Sequence, residues 1–318
     1  MTTQSFARVA PLLAAVLAFT GCTGTRAGGA ATNIAPVPAG AGAAAPRVVE
    51  AGGGQTIPFS RLADEVSRAD VVFFGEQHDD EETHRAELAL LTAIGERRRA
   101  VVLSLEMFER DVQSLVDAYL AGTLSEADFR AQSRPWPNYG ADYRPLVELA
   151  KARGWPVVAS NVPRRLASTV SRRGLPAVDS LPAADRGLVA RDLACPKDKY
   201  YANFVEVMGA GHGGPPPAAG ARPMADLFYE SQCVKDETMA EAIATAFTKA
   251  GGTAIVVHFN GAFHSDFGLG TAARVRRRLP SVRTVVVSAV PVPAPATANA
   301  AEYLDRGQFI ILPQRIKP

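Results

Sequence analysis

Apolar residues along this chain gather into short, nearly unbroken runs, each closing on a polar or ionisable group. ADVVFFGE (69–76), AVVLSLE (100–106), WPVVASN (155–161) and TAIVVHFN (253–260) are of this kind; RTVVVSAV (283–290) is similar, and FIILP (309–313) adds a candidate edge. Continuous rather than alternating apolar runs predict strands covered on both faces. Helical patterns separate them. DDEETHRAELALLTAIGERR opens on carboxylates and closes on arginines, as the helix dipole favours. YRPLVELAKARG and PRRLASTVSRRG each stop at a glycine. This alternation predicts an α/β fold, a mainly parallel central sheet flanked by helices. Two stretches near 110–143 and 181–248 read as helix without intervening strand, and predict a smaller inserted helical subdomain laid over the sheet. The second holds a Gly/Pro-rich loop, GAGHGGPPPAAGARP, with His212 inside it.

The N-terminus follows a different pattern. MTTQSFARVAPLLAAVLAFTGC has one early positive charge, Arg8, then an apolar stretch and then small residues. That is a secretory signal, too short to span a bilayer as a mature helix. Its ending, FTGC, resembles a lipobox with Phe19 where leucine is usual, making Cys22 the candidate lipidated residue; the alternative is an ordinary signal peptide cleaved nearby. Thr23 after the cysteine, rather than aspartate, points to the outer membrane. Residues 23–56, rich in Gly, Ala and Pro, cannot bury enough surface to offset ordering entropy and predict a flexible tether, so the folded part is expected over 57–318. The expected location is therefore the bacterial envelope, lipid-anchored in the outer membrane and facing the periplasm.

Composition narrows the partners. The chain has 318 residues, 34 basic and 32 acidic side chains and a formal net charge of +2. No basic stripe is interleaved with aromatics, which argues against a nucleic-acid partner. With Cys22 assigned, Cys195 and Cys233 remain, an even pair in an oxidising compartment, and a disulfide is expected; two free buried thiols are the alternative.

The chemistry gathers where the strands end. Open parallel sheets bind ligands beyond the carboxyl ends of their strands. The first strand ends in Glu76 and His78, the second in Glu106, the third in Asn161, and the fourth in Asn260 followed by His264. Carboxylates with imidazoles suit general acid–base work or a divalent metal ion. Glu76, His78, Glu106 and His264 are thus the candidate catalytic set and the candidate metal ligands. His78 and His264 sit in matching motifs, GEQH and GAFH, whose glycines are expected to turn the chain off the strand. Asp79 is expected to cap the next helix with Glu82 closing a capping box, and His84 to cap or pack. The plainer alternative pairs Glu76 and Glu106 with arginines such as Arg164 or Arg110 and leaves the histidines apart.

Five segments, FFGEQHDDEETHRAEL, LSLEMFERDVQ, WPNYGADYRPLVELAKARGWPVVASNVPR, FYESQCVKDETMAEAI and VVHFNGAFHSDFGLG, resemble the ChaN-type haem-binding lipoproteins in the family's order. The resemblance implies an envelope-anchored protein for haem or iron acquisition, able to bind haem as a dimer. The paired G-x-x-H elements with a glutamate after the second strand are more distantly similar to the erythromycin-esterase and TraB/Tiki hydrolase group, which keeps a hydrolase, metal-assisted or acid–base, as the alternative. A scaffold with a vestigial polar edge is a third reading. Haem iron takes His, Met, Cys or Tyr. Candidate haem contacts are Tyr200, Tyr201, Met208, His212 and Tyr229, with Tyr139, Tyr143 and Asn161 nearer the sheet, and Trp136 beside them. No C-x-x-C-H is present for covalent attachment.

Overall fold

The computed structural model describes residues 43–211 and 222–316. Cys22, the tether up to residue 42 and His212 lie outside these residues. The strands are β1 (Arg47–Glu50), β2 (Gln55–Ile57), β3 (Val71–Glu76), β4 (Val101–Glu109), β5 (Val157–Asn161), β6 (Ile255–Gly261), β7 (Thr284–Ala289) and β8 (Phe309–Leu312). They form one sheet in the order β2-β1-β8-β7-β3-β6-β4-β5. All neighbours run parallel except β1, which is antiparallel to β2 and β8. The four strands with polar ends are therefore neighbours, β3-β6-β4-β5.

The helices are α1 (Phe59–Val66), α2 (Glu81–Arg97), α3 (Gln113–Leu120), α4 (Glu126–Ser133), α5 (Arg144–Arg153), α6 (Arg164–Arg173), α7 (Ala183–Arg186), α8 (Lys199–Gly211), α9 (Met224–Lys249) and α10 (Gly270–Arg278). Alternate residues of β3 serve opposite layers. Val72 and Phe74 pack with Leu90 and Ile94 of α2 and Leu146 and Val147 of α5. Val71 and Phe73 pack with Ile243 and Phe247 of α9 and Ala272 and Val275 of α10. Burial of each such Val or Phe contributes about 1.5–3 kcal/mol, so helices on both faces are what an unbroken apolar strand requires. Among the described residues, 110–143 and 181–248 hold helices and no strand, and α9 brings the second stretch onto the sheet. No helix among the described residues is long and apolar enough to cross a membrane.

Three local expectations change. Residues 47–57, placed mostly in the tether by their surroundings, form the hairpin β1–β2, because Val48, Val49 and Ile57 supply buried apolar positions against β8. The second strand runs to Glu109 rather than Glu106, with a register shift against β5 between Leu105 and Glu109. Glu106 thus lies in a bulge, a device that re-aims side chains beside sites. Cys195, ahead of α8, is bonded to Cys233 in α9 with 5.7 Å between their Cα atoms, so the free-thiol alternative is set aside.

Candidate functional site

Glu76 closes β3 and is buried. Its Oε1 accepts hydrogen bonds from His78 Nδ1 at 2.6 Å and from the Tyr143 hydroxyl, while Oε2 has no donor apart from the hydrogen bond the carboxyl shares with Glu87. Asp80, not Asp79, caps α2, its Oδ1 accepting from the Thr83 N–H and hydroxyl at 2.8 Å each. Glu82 pairs with Arg85 at 3.0 Å. Starting α2 one residue later aims Thr83, His84 and Glu87 inward, in line with Leu90, Leu91 and Ile94. His84 therefore belongs to the site. Its Nδ1 lies 2.8 Å from Glu87 Oε2 and 3.9 Å from Glu76 Oε2, and its Nε2 donates to the His78 carbonyl at 3.2 Å. Asn138 donates to the same carbonyl and to Asp142 Oδ2, both at 2.8 Å.

Burial alone would neutralise both glutamates here. A hydrogen bond shared with Glu87, then His78 and the charge of His84, hold Glu76 below the usual carboxylate range. Glu87, desolvated and beside the Glu76 charge, is pushed well above it. Burial opposes a charge on His84, yet Glu87, Glu76 and Asp142 raise its pKa to about 10. For His78, burial is again outweighed, by the hydrogen bond to Glu76 and the charge of Glu106, and its pKa is raised.

A second group stands across the same edge. In the β4 bulge, buried Glu106 accepts the Gly261 N–H on Oε2 at 2.8 Å and meets His264 Nε2 with Oε1 at 3.3 Å. His264 Nδ1 donates to Asp236 Oδ1 of α9 at 2.7 Å. Asp236 also accepts from Thr271 Oγ1 at 2.8 Å and from the Tyr200 hydroxyl at 2.7 Å. Burial opposes a charge on His264, but the two flanking carboxylates raise its pKa to about 10. Burial likewise opposes charge on Glu106 and Asp236, and His264 more than offsets it, keeping both below the usual range. His258, deeper in β6 with Nδ1 2.9 Å from Ser104 Oγ, is pushed by burial down to about 4 and stays neutral.

Glycine joins the two groups. A Cβ at Gly261 would lie 2.8 Å from the His78 ring and 3.7 Å from Glu106 Oε2. A Cβ at Gly75 would lie 3.0 Å from the Cα of Ala262. The motif glycines serve close approach rather than a turn off the strand, since neither takes a positive φ.

The structure thus brings Glu76, His78, Glu106 and His264 to one edge, and among the described residues neither glutamate pairs with an arginine. Arg110 pairs with Glu241 instead. Asn161 is turned onto its own chain, its Oδ1 accepting from Val162 N at 2.9 Å. Tyr139, Tyr143, Tyr200 and Tyr229 are buried, and the hydroxyls of the last three bond to Glu76, Asp236 and the Pro196 carbonyl. Tyr201 and Met208 on α8 are half-buried, with the Tyr201 hydroxyl donating to Asp226 at 2.6 Å. His84, Glu87, Asp142 and Asp236 were not singled out by the strand-end pattern. Their signal is polar residues on the inward stripe of a helix, as in Thr83-His84-Glu87 ahead of Leu90.

What remains open is His78. Its side chain is 46% exposed against 7% for His264. With Nδ1–H held by Glu76, its Nε2 lone pair is left to bind a metal or take a proton. Trp136 stands edge-on to it, ring centres 4.6 Å apart. The same indole walls a cavity of about 540 Å³ with Met107, Pro135, Pro137, Arg134 and Arg164. A larger cavity of about 950 Å³, bounded by Val157, Ala159, Glu241 and Ala246, contains none of the four strand-edge groups.

Residues 62–275 match the sequence model of a family described as haem-binding uptake, Tiki superfamily, ChaN. Among curated proteins, a chloroplast protein of Arabidopsis thaliana, RETICULATA-RELATED 5, is 23% identical over 237 residues, spanning 71% of this chain but only 32% of that protein. Among solved structures, ChaN of Campylobacter jejuni, described by its cofacial haem binding, superposes with a TM-score of 0.63 at 14% identity, covering 85% of this chain and 97% of that one. A mutant erythromycin esterase in its open conformation gives a TM-score of 0.43 at 15% identity over 81% of this chain and 79% of that one.

Proposed function

Because the chain belongs to the ChaN family of haem-binding uptake proteins within the Tiki superfamily, we propose that it binds haem at the carboxyl edge of its sheet, as an envelope-anchored lipoprotein serving haem or iron acquisition. The observation that carries the placing is the half-open imidazole of His78 beside the cavity walled by Trp136. A haem needs an axial ligand, apolar faces and cations for its propionates. His78 Nε2 is the candidate ligand, with Nδ1 anchored to Glu76 so that the ring is oriented and basic. Met107, Trp136, Pro135 and Pro137 supply the apolar wall. Arg134 is engaged by Glu109 and Asp111, whereas Arg164 meets Glu109 only through its backbone N–H, and its guanidinium, with no salt-bridge partner among the described residues, is the candidate propionate contact.

Cys22 as lipid anchor, behind the tether, supports a membrane location. Cys22→Ser is expected to move the protein to the soluble envelope fraction, and sedimentation of that variant with membranes would remove the anchor. The cofacial haem arrangement of the Campylobacter jejuni protein supports a homodimer formed on haem binding, checked by size-exclusion chromatography with and without hemin.

Hemin titration followed by the Soret band tests the site. Wild type and Tyr201→Phe are expected to give a saturable shift that His78→Ala loses. Loss with Tyr201→Phe and retention with His78→Ala would move the ligand to α8. The Glu76–His78 pair is also the pairing of a general base with its orienting carboxylate, and this observation keeps a hydrolase as the second reading. Esterase or peptidase turnover abolished by Glu76→Gln, with hemin binding intact, would favour it.

A further inference from the structure

We infer that Glu76, His84 and Glu87 form a buried site for one divalent first-row transition-metal ion, apart from Glu106 and His264 and adjoining the haem surface through Glu76, whose Oε1 anchors His78. Each of the three offers one ligand atom, and these atoms all lie within 4.8 Å of one another. An ion with bonds of about 2.0–2.2 Å to nitrogen and oxygen spans such a group. All three residues are buried, with relative exposures of 2%, 4% and 0%.

Two observations beyond proximity point to a ligand. Glu76 Oε2 and Glu87 Oε1 are buried and take no hydrogen bond from any group outside the site; what the two carboxyls have is the hydrogen bond they share, whose proton an ion would displace. Two buried carboxyls with a single shared proton between these oxygens are under-satisfied, and native structures supply such atoms with a further partner. Glu76 Oε2 is the oxygen on the His84 side, 3.9 Å from Nδ1. The supporting contacts are also those of a ligand set. Tyr143 and His78 both donate to Glu76 Oε1, fixing the carboxylate and leaving Oε2 for the ion. His84 donates Nε2–H to the His78 carbonyl at 3.2 Å, which sets the tautomer with Nδ1 toward the two carboxylates. A histidine whose other ring N–H rests on a backbone carbonyl is the usual outer arrangement of a metal-bound imidazole. On binding, His84 Nδ1 gives up its proton and the Glu76–Glu87 pair gives up the proton it shares, both to solvent, and the ion takes their place. One imidazole with two carboxylates suits Mn²⁺, Fe²⁺ or Zn²⁺ better than a soft-metal site, since no thiolate or thioether is in the set.

The test is titration of chelator-stripped protein with Mn²⁺ and with Zn²⁺, read by calorimetry and by the melting temperature. Wild type is expected to bind one ion and to melt higher in its presence. Glu87→Gln, close in shape to the native residue, should weaken binding more than about 100-fold and lose the melting shift, and Tyr143→Phe should weaken it about tenfold through Glu76. Hemin titration of Glu87→Gln should still saturate, which separates failure of this site from failure of the haem reading. Absence of saturable binding of both ions to wild type, or an unchanged affinity in Glu87→Gln, overturns the inference, leaving the glutamates as a proton-sharing pair.

Discussion

The two G-x-x-H motifs put two histidines at one sheet edge and treat them in opposite ways. On the α9 side, His264 is held between Glu106 and Asp236, each carboxylate takes further donors, and the ring is almost wholly covered. On the α2 side, His78 is anchored through one nitrogen only, stays half-open, and leans on a Glu76 whose second oxygen takes no hydrogen bond from outside the Glu76–His84–Glu87 group. A fully satisfied buried ion network fixes structure, whereas an edge with spare valence can take a ligand. The motif alone therefore does not mark the chemistry. What surrounds each histidine decides it.

The largest expected effect breaks the α9 side. His264→Ala leaves Glu106 and Asp236 as uncompensated buried charges and should cost about 3–5 kcal/mol of unfolding free energy, measured by urea denaturation at neutral pH. A loss below about 1 kcal/mol, the range of an exposed pair, would mean that this triad is not a structural lock. Next, Cys195→Ser with Cys233→Ser opens a loop whose cysteines are 38 positions apart and should cost roughly 4 kcal/mol on chain-entropy grounds. That loss should appear in the melting temperature without altering the α2-side ligands.

A smaller effect sharpens the contact between the two halves. Gly261→Ala drives a methyl into the His78 ring and should cost about 1–3 kcal/mol as overpacking. It should also displace His78, so hemin binding is expected to weaken while the His264 triad persists. Unchanged stability and hemin affinity would show that the ring has free room to move.

The mildest effect is the pH dependence of the lock. The pKa of His264 is raised from 6.5 to about 10, so its stabilisation is complete below pH 6.5 and is lost as pH rises through about 10. Glu106 and Asp236, both lowered, contribute above their ordinary range and lose that contribution as pH falls through their depressed values. The stability gap between wild type and His264→Gln should therefore narrow from pH 6.5 to about 10, followed by urea midpoints. A gap that widens over that interval contradicts the assignment of a charged His264.

The strand-borne half of this edge was legible because a buried strand is a local signal. An unbroken apolar run that stops at Glu76 or Asn260 needs no knowledge of the rest of the chain to be read. Glu106 was found although β4 continues past it, since a bulge leaves no mark in an apolar run. The helix-borne half was less legible. His84, Glu87 and Asp236 become site residues only when α2 and α9 turn them inward. That depends on which residue caps α2, and Asp79 and Asp80 are equally good caps by composition. The β1–β2 hairpin was missed because its few apolar positions sit beside glycines and acquire meaning only against β8. The buried tyrosines carry a role the sequence does not announce, since the hydroxyls of Tyr143 and Tyr200 hold Glu76 and Asp236.

The contrast between an open and a closed histidine is tested most directly by one paired titration of hemin into folded His78→Ala and His264→Gln at neutral pH. The account predicts a saturable Soret shift in His264→Gln and none in His78→Ala. A shift that survives in His78→Ala and is lost in His264→Gln would contradict it.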